Sequence, residues 1–119
     1  MDVKELRIGN CLCDLLGGIV TVRAITAGGI SIRGEGYTVS ASLFTPIPLT
    51  ESFLNEHEYP SAYDGVKIGD KININFESKN VNIYIKSLDD DITLPLPEYV
   101  HEFQNLIYAL HKEEIEFKM

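Results

Sequence analysis

Long apolar runs, cysteine and positive charge are all scarce in this chain. No apolar run reaches the ~18 residues that a membrane-spanning helix needs. The start, MDVKELRIGN, has no basic segment followed by an apolar core, so it does not read as a secretory signal. These two absences predict a cytoplasmic protein that makes no membrane contact. Cysteine is confined to Cys11 and Cys13. Two residues apart on a strand, their side chains share a face, but their Cα atoms lie at the outer limit of disulfide geometry. A metal would need two more ligands, and His57, His101 and His111 show no partnering spacing. The expectation is a pair of reduced thiols packed in or beside a strand, with no metal and no cofactor.

Lysine and arginine total 10 against 18 aspartates and glutamates, a net charge of −8. Residues 1–45 hold four basic and four acidic side chains, whereas residues 46–119 hold six and fourteen and carry the whole excess. An acidic surface repels phosphate backbones, which disfavours nucleic acid and favours a protein or small-molecule partner. Phosphate loops are missing too: GGIVTV and GGISIR have neither a following helix nor a lysine-serine pair. The three consecutive carboxylates of LDDDITL, Asp89 to Asp91, lack the alternation and the closing glutamate of a calcium loop, and read as a solvated turn.

What is present describes one α+β domain over residues 1–119, a chain long enough to bury a single core. The first 45 residues read as short strands separated by glycine. KELRIG alternates, with Leu6 and Ile8 on one face, and Gly9-Asn10 turns it into CLCDLL. IVTVRAI is a β-branched run suited to a buried strand. Ala27-Gly28-Gly29 closes a hairpin into ISIR, and YTVSASLF forms one more strand. Strands of this length and spacing suggest a curled sheet or small barrel, similar in style to Src-homology-3-like barrels.

Pro46 and Pro48 end that run. A short helix follows, with Thr50 as N-cap, Glu51 in its first turn and Leu49 with Leu54 as a hydrophobic staple. YPSAYDG reads as a loop. In KININFESKNVNIYI two runs alternate; pairing Phe76 with Val81 sets Ile74 opposite Ile83 and Ile72 opposite Ile85 across a two- or four-residue turn. The hairpin's apolar face needs cover, and a C-terminal helix from Pro97 onward supplies it, placing Ile74, Ile83, Phe103 and Ile107 in one core. On a helical wheel Tyr99, Val100, Phe103, Leu106, Ile107 and Leu110 fill an arc about 120° wide. EEIEF, beyond Lys112, alternates as a last strand would.

Opposite that apolar arc lie His101, Gln104, Asn105, Tyr108, His111 and Lys112. His101 and His111 are about 15 Å apart along a helix and cannot share one ion. No serine, cysteine or carboxylate joins them, so no nucleophile–base pair is visible and no enzyme is expected. His101, Gln104, Asn105 and Tyr108 remain the candidate binding residues, set against a merely solvated helix face.

Three segments carry a resemblance: ELRIGN at 5–10, PIPLTESFL at 46–54 and VHEFQNLIYAL at 100–110, together 26 of 119 residues. They resemble the signature segments of a family of small uncharacterised proteins from Bacteroides-type bacteria and their phages or prophages, which carry ELRIGN, PIPLTEEWL and VHQLQNLYFAL. The resemblance singles out Gly9, Asn10, Pro46, Pro48, Thr50, His101, Gln104, Asn105 and Leu110. The chain departs from it at Ser52, Phe53, His111 and Lys112. It implies a mobile-element setting and no established activity. With it, the favoured account of Gln104 or Asn105 is structural, a hydrogen bond to the backbone of residues 44–50, where two prolines preclude a regular ladder. Recognition of a ligand is the second account. The expected function is a phage- or prophage-derived, non-enzymatic protein-interaction module acting on a host or phage protein. The alternative is a nucleic-acid-associated accessory using the N-terminal barrel and Arg7, Arg23 and Arg33.

Overall fold

In the computed structural model, which describes residues 5–26, 29–32, 39–57, 59, 61–62, 65–69, 71–86 and 88–111, the first expected strand is a turn. Asn10 Oδ1 accepts from Arg7 N at 2.7 Å and Asn10 N donates to Arg7 O at 3.0 Å, while Gly9 takes a positive φ of 99°. This closure ends the alternation. Leu6 is buried and Ile8 is 56% exposed, so the two do not share a face.

The architecture is α+β, with antiparallel sheets, one long C-terminal helix and, among the described residues, no closed barrel. None of the described helices is long and apolar enough to cross a membrane. The described residues of Met1–Pro48 and Tyr99–Glu116 form one compact unit, and those of Leu49–Glu98 form a second.

In the first unit β1 (Cys11–Cys13) pairs with β2 (Ile19–Thr21), and β3 (Ala24–Thr26) with β4 (Gly29–Ser31). The expected single strand IVTVRAI is therefore divided between two ladders. The break falls at Val22, whose N–H donates to Asn10 O and whose carbonyl accepts from Gly9 N, both at 2.9 Å. Gly29 has φ 150°, and a Cβ there would collide with the Val39 carbonyl. That close approach lets Val39 bridge Ile30. The expected strand YTVSASLF gives way after Val39 to a 3-10 turn over Ala41–Leu43, nucleated by Ser40, whose hydroxyl accepts from Ser42 N at 3.3 Å. Leu6, Leu12, Val22, Ile30, Ala41 and Phe44 form the buried core of this part.

The helix α2 (Val100–His111) packs on β1. It begins three residues after Pro97, later than expected, and Glu102 Oε1 accepts from Tyr99 N at 3.1 Å ahead of the first turn. Only Glu102 and Ala109 of its twelve residues are exposed. Phe103 and Ile107 are buried as the apolar arc predicts. The expected EEIEF strand lies outside the described residues, as do Arg33 and Lys112.

In the second unit α1 (Glu51–Glu56) is capped by Thr50, whose Oγ1 accepts from Phe53 N at 3.1 Å, and Leu49 and Leu54 are both buried as a staple requires. YPSAYDG is not wholly a loop: β5 (Ser61–Ala62) pairs with β6 (Gly65–Ile68). Then β7 (Ile72–Asn75), β8 (Asn80–Ile85) and β9 (Asp90–Pro95) complete a meander in the order β5-β6-β7-β8-β9.

The β7–β8 register is two residues from the expected one, with Ile72 opposite Ile83, Ile74 opposite Val81 and Asn75 opposite Asn80. A shift of two preserves the face of every side chain, so the apolar side survives. Phe76 falls into the four-residue turn instead of the strand. Asn75 Oδ1 holds Ser78 N at 2.9 Å and Lys79 adopts φ 56°, which fixes the turn one step earlier. The carboxylates read as a turn also behave differently. Asp89 sits in the turn with φ 48° and accepts from Tyr84 Oη at 2.6 Å, but Asp90 and Asp91 open strand β9.

Candidate functional site

The candidate binding residues of α2 are buried or half-buried, not set on a solvated face. Gln104 is fully buried and His101 is 3% exposed, while Asn105 and Tyr108 are half-buried. Gln104 Oε1 accepts from Cys11 N at 2.9 Å, and its Nε2 donates to Gly9 O at 3.2 Å. Asn105 Oδ1 accepts from Asn10 Nδ2 at 2.9 Å and from Arg7 Nε at 3.1 Å, and its Nδ2 donates to Glu5 O at 3.1 Å. Arg7 also donates from Nη2 to Gln104 O at 3.3 Å and lies over the Tyr108 ring, 4.1 Å from its centre.

Three of the four candidate residues thus converge on one partner, the turn spanning Glu5 to Cys11. A turn has backbone donors and acceptors that no ladder satisfies, and amides one helical turn apart can serve both kinds. The partner differs from the one expected. Within residues 44–50, Thr45 O accepts from the backbone Cys13 N at 2.9 Å and Ile47 O from the backbone Val100 N at 2.8 Å. Val100 opens the helix, so its N–H has no acceptor inside the helix and is free to serve Ile47. That orphan donor, absent from a side-chain inventory, serves the Ile47 carbonyl in place of Gln104 or Asn105.

Arg7, Asn10 and the Cys11 amide complete the cluster, and sequence patterning did not pair them with α2. The available signal was Asn10 itself, a residue able to close its own turn and still offer an amide outward.

The chemistry of the cluster is quiet. Burial pushes the Cys11 thiol above its ordinary range, and the hydrogen bond with Gln104 only partly offsets this. A thiol held protonated is a poor nucleophile. Both cysteines are free. Among the described residues, no group of three or more histidine, cysteine or acidic side chains is placed to hold a metal ion. Arg7 is committed to Asn105 and Tyr108, which leaves Arg23 as the exposed arginine of the described N-terminal strands and turns.

His101 differs from its neighbours. It stacks 6.1 Å from Tyr99, and its Nδ1 is buried with no hydrogen-bond partner among the described residues. Burial lowers its pKa below the ordinary 6.5, against the raising influence of Glu102 and Glu5. A lowered value means that the unfolded chain takes up the proton first. His101 therefore leaves stability intact above about pH 6.5 and erodes it as pH falls from there through its folded value. Denaturant melts from pH 7.5 to 5 should show that loss, and His101→Phe should flatten it relative to the wild type. An unchanged pH slope in the variant would contradict this.

The most exposed large apolar side chains lie elsewhere. Leu15 is 75% and Leu16 95% exposed at the tip between β1 and β2, a stretch expected to be strand. Asp14 holds the tip: its Oδ1 accepts from Leu16 N at 2.9 Å and from Gly18 N at 2.8 Å, and its carbonyl from Gly17 N at 3.1 Å. Comparison of the chain with family models, curated proteins and solved structures finds no match.

Proposed function

We propose that the chain is a non-enzymatic protein-interaction module of phage or prophage origin, which engages a host or phage protein through the β1–β2 tip. The observation that carries this reading is the Leu15-Leu16 pair, held in water by a turn whose amides are fixed by Asp14. Adjacent leucines at such exposure add little to folding, since little of their apolar area is removed from water. A fixed turn reduces the ordering required when a partner covers it. The mobile-element origin rests on the three resembling segments. The two N-terminal ladders are read within the same proposal as a Src-homology-3-like curled sheet that carries the tip.

The test is the double variant Leu15→Ser/Leu16→Ser. Stability should stay within about 0.5 kcal/mol of wild type, as for exposed positions generally. Proteins crosslinked to the wild type from infected and uninfected host extract should be missing with the variant. Recovery of the same proteins by both would refute the reading.

A further inference from the structure

Four asparagines lie on one side of a single hairpin, and that is a costly choice of residue. Asn73 stands opposite Asn82 and Asn75 opposite Asn80. Asparagine is depleted in strands, where β-branched and aromatic side chains fit the pleat better. A local preference broken in register at four positions points to use of that face. The neighbouring strands continue the row, with Lys67 opposite Asn73 and Thr93 opposite Asn82.

A concavity of about 280 Å³ opens on this face, lined among others by Lys67, Gly69, Lys71, Asn73, Asn82 and Asp91. That volume lies near the lower end of small-ligand pockets and suits one sugar ring. At Gly69, which turns β6 into β7 with φ 63°, a side chain would meet nothing within 4 Å, so the rim is open. Asn82 Oδ1 is shielded from water and has no hydrogen-bond partner among the described residues. A buried acceptor left so is unfavourable, and Asn82 is among the residues that line the concavity.

We propose that this face binds a saccharide bearing one anionic group per ring, with Asn82 in the lining of the site. An amide sets a donor beside an acceptor, which matches a pair of neighbouring hydroxyls. The Asp91 carboxylate accepts from further hydroxyls and disfavours a ligand that is anionic throughout. Lys67 and Lys71 place two positive charges at one opening of a chain whose net charge is −8. Together they select a sugar acid over a neutral sugar.

The experiment is a titration of the full-length ¹⁵N-labelled protein followed by amide NMR, with three probes: a uronic-acid oligosaccharide, a neutral oligosaccharide of equal length, and inorganic phosphate. Saturable shifts centred on Lys71, Asn73, Asn82 and Asp91 are expected with the acidic saccharide, and weaker ones with the neutral saccharide. Asn82→Val, which suits a strand, should weaken acidic-saccharide binding about tenfold, the equivalent of one lost hydrogen bond. Lys71→Gln, at an exposed position, should weaken the acidic saccharide and leave the neutral one unchanged, and it keeps the test decisive should Asn82→Val fail to fold. No shifts with either saccharide, the same shifts with phosphate alone, equal binding of the two saccharides, or unchanged affinity in a folded Asn82→Val protein would each overturn the proposal.

Discussion

Replacing Phe103 with alanine should destabilise the protein by about 3–5 kcal/mol, the usual loss for a buried phenylalanine. Phe103 is 0% exposed and stands first among the largest fully buried side chains. It sits on α2 one residue before Gln104, so the backbone that carries it is also held by the polar contacts to the Glu5–Cys11 turn. That attachment limits how far the helix can move to fill the space, which places the loss towards the upper part of the range. A small domain has about 5–15 kcal/mol in total, so the variant would lose a large share of it. Urea melts should show a lower midpoint with an unchanged slope. Ala109, exposed on the same helix, is the control: Ala109→Ser should change stability by less than about 0.5 kcal/mol. A loss below about 1 kcal/mol for Phe103→Ala would mean that the apolar arc of α2 does not anchor a core.

Features set by neighbours in the chain were legible in advance. The Thr50 cap and the burial of Leu49 and Leu54 on either side of it need only local rules, and each is found. The apolar side of the β7–β8 hairpin was also legible, because a period of two survives any even shift of register. The register itself was not, since Asn75 and Lys79 settle the turn through a side-chain hydrogen bond and a left-handed residue. β9 was hidden for a related reason. Its two opening aspartates read as turn residues, yet they and Pro95 suit the end of a sheet. Asp90 Oδ1 occupies the Asp91 N–H at 2.8 Å, and Pro95 has no N–H, so this edge offers few donors to another strand.

The polar arc of α2 was harder still. Hydropathy places histidine, glutamine and asparagine on the wet side of a helix, and that inference holds only where water is the alternative partner. Here the alternative is a turn. The segments ELRIGN and VHEFQNLIYAL, separated by almost the whole chain, hydrogen-bond each other through Arg7, Asn10, Gln104 and Asn105. No helical period encodes a partner some 95 residues away. The distinction matters for function, because side chains already engaged by the protein's own backbone are poorly available to a ligand. Leu15 and Leu16 in one unit, exposed to water, and Asn82 Oδ1 in the other, with no hydrogen-bond partner among the described residues, carry no such engagement, which is why the proposals above rest on them.

Gln104→Met should reveal how strongly that arc holds the N-terminal turn. Methionine keeps the length of the side chain and its apolar stem, and removes a good acceptor and a good donor. The Cys11 N–H loses its 2.9 Å partner and the Gly9 carbonyl its 3.2 Å partner. Cys11 is 3% exposed, so water cannot readily replace Gln104 at its amide. Each buried backbone group left unmatched costs roughly 1–3 kcal/mol, which predicts a loss of about 2–6 kcal/mol for the two. Asn105→Ala should cost less, about 1–2 kcal/mol, because Asn105 is half-buried and water can reach its former partners. The two losses should not add, since both side chains hold the same turn and Asn10 Nδ2 reaches Gln104 Oε1 at 3.5 Å as well as Asn105. Hydrogen exchange gives the local reading: in Gln104→Met the Cys11 amide should exchange faster relative to global unfolding than it does in the wild type. A variant that melts like the wild type, with the Cys11 amide still protected, would show that the helix amides do not hold the turn, and would return Gln104 and Asn105 to the list of groups available to a ligand.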